Sequence, residues 1–170
     1  SNIFGSGCPL HELGKSAIIP DPSDFRPFRG NIQGVYLNYR GLFCVDPGHR
    51  NYKFNKLNYQ LTTFDFVGIG EAHIDAEKCA VFNASNSHVP NYNFWLSGDG
   101  GGDGGLGILI NKKFAEKFTH FGVKEISGKR CFCITLVGPN GTLDLYAVYA
   151  NPYSRAHRVQ MYHDIKRAMR

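Results

Sequence analysis

No apolar run in this chain approaches the roughly 20 residues that a membrane-spanning helix requires, and no signal-peptide pattern opens it. No membrane partner is therefore expected. Cysteine is sparse and odd in number. Five residues, Cys8, Cys44, Cys79, Cys131 and Cys133, do not make a disulfide framework. The expected compartment is reducing and intracellular, nucleus or cytoplasm. Cys8 and His11 have a spacing known from zinc sites, but no second pair follows at a suitable distance. Internal repeats are missing, and low complexity is confined to one glycine run. Acidic residues are outnumbered, 14 against 19 Lys and Arg, giving a net charge of +5. That balance permits a polyanionic partner without demanding one.

What the chain does hold is enough for one ordinary domain. It has 170 residues, of which 42% are apolar and 14% aromatic, and its 20 glycines point to many turns and a strand-rich fold. Residues 1–30 carry Pro9, Pro20, Pro22 and Pro27 with no sustained period, and read as an irregular lead-in to a domain over 31–170.

The organising stretch is 65–74. Phe66, Val67 and Ile69 make a short apolar run of β-formers that stops on Glu71, with His73 two residues later. A carboxylate at the end of a buried strand lies at the sheet edge where ligands of α/β proteins bind, and it suits a hard cation such as Mg²⁺. The bland alternative is a solvated Glu that opens a loop.

Upstream, Val35, Tyr36 and Leu37 read as a first strand ending on Asn38. Asn38 either begins a turn, or presents its amide to a phosphate oxygen or helps to hold a metal-bound water. Between the two strands, Phe54, Leu57 and Leu61 recur at helical spacing over 52–62. The unit is βαβ, so both strands should run parallel and bring Asn38 and Glu71 close.

Downstream, a loop or short helix occupies 74–92, and 93–96 reads as a strand. The glycine run 98–105 precedes a further strand, Leu106 to Ile110. Because no helix follows it, the run reads as a hairpin connection and not as a phosphate cradle. Strands are expected over 118–126 and 131–137, then the turn Gly138-Pro139-Asn140-Gly141. A last strand through Leu143, Leu145, Ala147 and Val148 ends at Tyr149. Ser154 should cap a closing helix with Val159, Tyr162, Ile165 and Met169 inward and a basic outer face.

Three strands thus end in Asn38, Glu71 and Tyr149. Leu37-Asn38-Tyr39-Arg40-Gly41-Leu42, Gly70-Glu71-Ala72-His73, Gly104-Gly105-Leu106-Gly107-Ile108-Leu109-Ile110 and Tyr146-Ala147-Val148-Tyr149-Ala150-Asn151-Pro152 occur in that order. The ordered set resembles the endonuclease/exonuclease/phosphatase superfamily, and within it the apurinic-endonuclease-like domain of LINE-type (non-LTR) retrotransposons. The resemblance implies an α/β (α+β) fold: a four-layer sandwich of two packed mixed β-sheets with outer helices, of which this chain supplies the N-terminal portion. It implies a metal-dependent phosphodiesterase, a DNA endonuclease, with Mg²⁺ or Mn²⁺ on Glu71. Asn38 and Tyr149 would be the catalytic residues that contact the phosphate. DNA and a downstream reverse-transcriptase domain are the partners it implies.

The chain departs from the pattern in three ways. Gly70 and Ala72 replace a Gln and a Thr beside the metal Glu, and Asn151-Pro152 reverses the usual order, so Asn151 takes no role. No Gly-Asp-x-Asn and no Ser-Asp-His segment occurs. Those segments supply the family's catalytic Asp, Asn and His, so the isolated chain is expected to be inactive. Two alternatives stay open: a nucleic-acid-binding remnant without catalysis, and a phosphatase or sphingomyelinase acting on another phosphate.

Overall fold

A computed structural model describes residues 26–85, 91–98 and 104–169. The lead-in up to residue 25 lies outside them, with the Cys8–His11 pair. So do residues 86–90 of the 74–92 connection and residues 99–103 of the glycine run.

The first sheet has the strand order β1-β2-β4-β3. Strand β1 (Gly34–Asn38) runs parallel to β2 (Phe66–Gly70), and the two are joined by helix α1 (Pro47–Thr63). The expected βαβ unit is present. Helix α1 begins five residues before the apolar period starts. The Asp46 side chain accepts the backbone N–H groups of Gly48 and His49, and Pro47 sits in the first turn. Leu57 and Leu61 are fully buried beneath it. At the base of the sheet Asp65 accepts the Gln33 N–H through its carboxylate at 2.8 Å, and its carbonyl accepts the Asn111 N–H.

Helix α2 (Ala76–Ser85) leads to β3 (Tyr92–Leu96), which pairs antiparallel with β4 (Leu106–Ile110). The glycine run does therefore link two paired strands. Every residue of β3 and β4 is buried. A single turn, α3 (Lys112–Ala115), follows β4. The pattern gave no helix there, because four residues are too few to show a period. Asn111 caps it and donates to the Leu61 carbonyl at 2.6 Å, tying α3 to the end of α1.

The second sheet, β5 (His120–Glu125), β6 (Cys131–Gly138) and β7 (Gly141–Val148), is antiparallel throughout, so only the first sheet is mixed. The sheets meet where β7 packs on β2 and β4. Phe121 of β5 reaches the first sheet, with its ring 6.1 Å from Tyr92 and 6.4 Å from Phe94. Cys131 and Cys133 are small buried side chains, and burial pushes the Cys131 thiol up to about 12.

Residues 26–29 dock beside the start of β7. Phe28 and Arg29 donate to the carbonyls of Thr142 and Asn140, and Thr142 donates to Arg26. Gly141 allows this approach. Its φ is +110°, and a Cβ there would collide with the Pro27 carbonyl oxygen. Gly141→Ala is expected to lower stability by about 1–3 kcal/mol, through left-handed strain and the lost docking. Urea denaturation of the two proteins measures it; an unchanged midpoint would show that the docking is dispensable.

Helix α4 (Arg155–Ala168) is capped by Ser154 as expected, but its inward face differs. Met161 is buried and Ile165 half-buried, whereas Val159, Tyr162 and Met169 are exposed. The helix is rotated toward Asp164, whose carboxylate accepts Ser127 Oγ at 2.8 Å and pairs with Arg167. The Ser127 and Gln160 hydrogen bonds hold that carboxyl below its ordinary value. Among the described residues no helix is long and apolar enough to cross a membrane.

Candidate functional site

The parallel pairing sets the upper edge of the first sheet. Asn38 stands opposite Gly70, and Glu71 follows directly. Beyond Gly70 the backbone stays stitched on both sides. Gly41 donates to the Glu71 carbonyl at 2.7 Å and Phe43 to that of Ala72. On the other flank, Ala72 and His73 donate to Gly105 and Gly104.

This edge is strained. Among the described residues, the non-glycine residues with positive φ are Arg40 (+45°), Glu71 (+50°) and His73 (+55°), and all three lie here. Left-handed backbone costs such residues roughly 1–2 kcal/mol each, and it concentrates at functional sites. Lys53 helps to hold the loop by donating to the Arg40 and Gly41 carbonyls at 3.0 and 2.9 Å. His73 packs its ring on Gly41: a Cβ there would lie 2.7 Å from His73 Nδ1.

The Asn38 side chain takes the turn role its position allows. Its Oδ1 accepts the Arg40 N–H at 3.0 Å and closes a turn. Its exposed Nδ2 makes no hydrogen bond among the described residues and remains a donor for a ligand.

Glu71 and Tyr149 meet in an open cleft of about 410 Å³, which Asn38 borders but does not line. Gly98, Gly104 and Gly105 give it a wall without side chains. The opposite wall comes from the second sheet. Lys129 and Arg130, on the 3₁₀ turn Gly128–Arg130, supply two cations, and the Arg130 guanidinium lies 5.5 Å from the centre of the Tyr149 ring. Asn151 also lines the cleft, but its side chain accepts the Tyr153 N–H and bonds His157 Nδ1, which is the work of a turn residue.

Sequence reasoning missed Lys129, Arg130 and Tyr36. Tyr36 lies on the same face of β1 as Asn38, and its ring crosses Gly68 and Gly70. A Cβ on Gly68 would lie 2.8 Å from its Cδ2, and one on Gly70 would collide with its hydroxyl. The absence of a side chain at Gly70 thus has a steric counterpart. Burial, then the charges of Glu71 and Tyr149, raise the Tyr36 phenol above its ordinary value.

The donor set suits one kind of metal site. Among the described residues there is no group of three or more His, Cys, Asp or Glu placed to hold an ion. Glu71 is the one acid that lines the cleft among them. Mg²⁺ is commonly held by one or two carboxylates, with water and substrate phosphate completing the shell, so these residues fit such an ion but form no closed cage. A larger hollow of about 740 Å³ lies elsewhere, along α1 and α2. Arg50, Lys78 and three asparagines line it, and no carboxylate does among the described residues, so it lacks metal chemistry.

Fold and cleft together define an α/β domain of two packed sheets, with a carboxylate, an amide and a phenol at its strand ends and a second phenol within β1. No protein-family model matches the chain, and no curated protein matches it significantly. The crystal structure of AP endonuclease LMAP from Leishmania major is similar to it, with a TM-score of 0.55 and 14% identity over 85% of this chain. The likeness shows that the fold is AP-endonuclease-like. The chain spans about half of that structure, 53% of its length.

Proposed function

We propose that the chain is the metal- and phosphate-holding part of a nuclease-like phosphodiesterase domain whose substrate is DNA. The observation that carries this reading is the meeting of Glu71 and Tyr149 in one cleft beside Asn38, on an AP-endonuclease-like fold. Glu71 is the residue that would hold Mg²⁺ or Mn²⁺, and a cation there would polarise a phosphoryl oxygen and stabilise the leaving one. Asn38 Nδ2 and the Tyr149 hydroxyl donate to phosphate oxygens. Lys129 and Arg130 neutralise the backbone charge. In the complete domain, two packed sheets with outer helices would make a four-layer sandwich. The ordered motifs of the sequence support a retroelement type, with a reverse-transcriptase domain further along the same polypeptide. Sequencing the transcript past the codon for Arg170 tests that part, and a reading frame without such a domain would contradict it.

Binding of a fluorescein-labelled DNA duplex, followed by anisotropy, tests the site. For about three phosphate contacts, counterion release should lower affinity roughly 40-fold between about 50 and 200 mM salt. Mg²⁺ should strengthen binding. Glu71→Gln should raise the Mg²⁺ concentration needed by about tenfold or more, since even the outer partners of a metal act on that scale. Salt-independent binding, or an unchanged Mg²⁺ response in Glu71→Gln, would contradict the proposal. One observation favours a second reading, a nucleic-acid-binding module without catalysis: Glu71 is the one acid lining the cleft among the described residues.

A further inference from the structure

Tyr36 is an unusual resident of a strand face. It is 51% exposed, and it lies across two glycines where the sheet has no other side chain to cover. Gly68 and Gly70 leave a trough in β2, and the Tyr36 ring fills it from β1. The register would otherwise place Tyr36 beside Gly68 alone, and the missing Cβ at position 70 lets the hydroxyl reach the strand end next to Glu71. There it feels the charges of both Glu71 and Tyr149. A phenol in such a place ordinarily donates to a protein acceptor. Among the described residues the Tyr36 hydroxyl makes no hydrogen bond. The hydroxyl stands against Gly70 at the strand end beside Glu71, with Asn38 two residues along its own strand, while the Tyr36 ring lines a separate hollow of about 360 Å³ with Gly34, Phe66 and Asp144.

We propose that Tyr36 is a substrate-contacting residue, whose hydroxyl donates to a non-bridging oxygen of the phosphodiester held over Glu71. It would act from the first sheet while Tyr149 acts from the second, so that two phenols grip the phosphate from opposite sides. The inference rests on the reading of the Glu71 cleft as a phosphate site. A hydrogen bond to a charged oxygen is stronger than one between neutral groups, and its loss is expected to cost about tenfold in affinity.

Anisotropy of the fluorescein-labelled duplex with this chain and Mg²⁺ at low salt tests it. Tyr36→Phe keeps the ring over the glycines and removes only the donor. It should bind about tenfold more weakly with an unchanged circular dichroism spectrum and melting point. Where Tyr36→Phe fails to fold, Gly70→Ala serves, because its Cβ displaces the hydroxyl without altering the phenol. Glu71→Gln and Tyr149→Phe run in parallel separate the two levels of the claim. Weakened binding in those two with wild-type affinity in Tyr36→Phe overturns the role of Tyr36 alone. Wild-type affinity in all three overturns the cleft as the phosphate site.

Discussion

Supercoiled plasmid incubated with purified residues 1–170 and Mg²⁺ is expected to stay supercoiled. Hydrolysis of a phosphodiester needs a held phosphate, an oriented and deprotonated water, and a group that stabilises charge on the phosphoryl oxygens. On the proposed reading the first would come from Glu71, Tyr149 and the two cations that line the cleft, with Asn38 at its border. For the second the cleft offers nothing further among the described residues: no second carboxylate and no imidazole lines it. His73 is packed on Gly41, and His157 is bonded to Asn151. A positioned general base contributes roughly 10²–10⁴ in rate, and removing one transition-state donor costs a further 10²–10³. A polypeptide that continues through Gly-Asp-x-Asn and Ser-Asp-His segments should nick the plasmid, and Glu71→Gln within it should abolish nicking. Agarose-gel conversion to open circles reads both. Robust Mg²⁺-dependent nicking by residues 1–170, itself lost in Glu71→Gln, would show that the cleft holds a general base of its own.

Phe121→Ala should remove a large part of the stability of the fold. Phe121 is fully buried on β5 and touches Tyr92 and Phe94 of the first sheet, so one ring joins the two layers. Truncating such a side chain removes its transfer energy and leaves a cavity, at a cost of about 3–5 kcal/mol. Domains of this size are stable by only about 5–15 kcal/mol. Thermal unfolding followed by circular dichroism should therefore show a large drop in midpoint, or no native baseline. A loss under about 1 kcal/mol would mean that the sheets are joined mainly elsewhere.

Much of the first sheet was legible in the sequence, for a physical reason. Phe66, Val67 and Ile69, like Leu106 to Ile110, are apolar because both faces of their strands are covered, and an apolar run between glycines marks such a strand. The start of α1 was not legible from its apolar period, because Asp46 and Pro47 begin the helix before any residue turns inward. On α4 two apolar stripes interleave. Ile165 belongs to both, and periodicity favours Val159, Tyr162 and Met169 beside it as strongly as it favours Met161. The choice is made by contacts from another element, such as the Ser127–Asp164 hydrogen bond.

The candidate site divides in the same way. Asn38, Glu71 and Tyr149 sit at strand ends, where a polar residue interrupting an apolar run is visible in one dimension. Tyr36 lies within a strand and reads as core. Only the absence of side chains on Gly68 and Gly70, in the neighbouring strand, carries its hydroxyl to the edge. Lys129 and Arg130 belong to a turn between β5 and β6, and they reach Glu71 through the packing of one sheet on the other. No local pattern encodes that approach.

The most direct test of the central claim is paramagnetic broadening by Mn²⁺ in ¹⁵N-labelled protein, recorded with a short DNA duplex present. If Glu71 holds the cation, sub-stoichiometric Mn²⁺ should first erase the amide signals of Gly41, Glu71, Ala72 and Gly105, and Glu71→Gln should abolish that selectivity. Broadening that instead centres on Arg50, Asn55 and Lys78 along α1 and α2, unaffected by Glu71→Gln, would contradict the account.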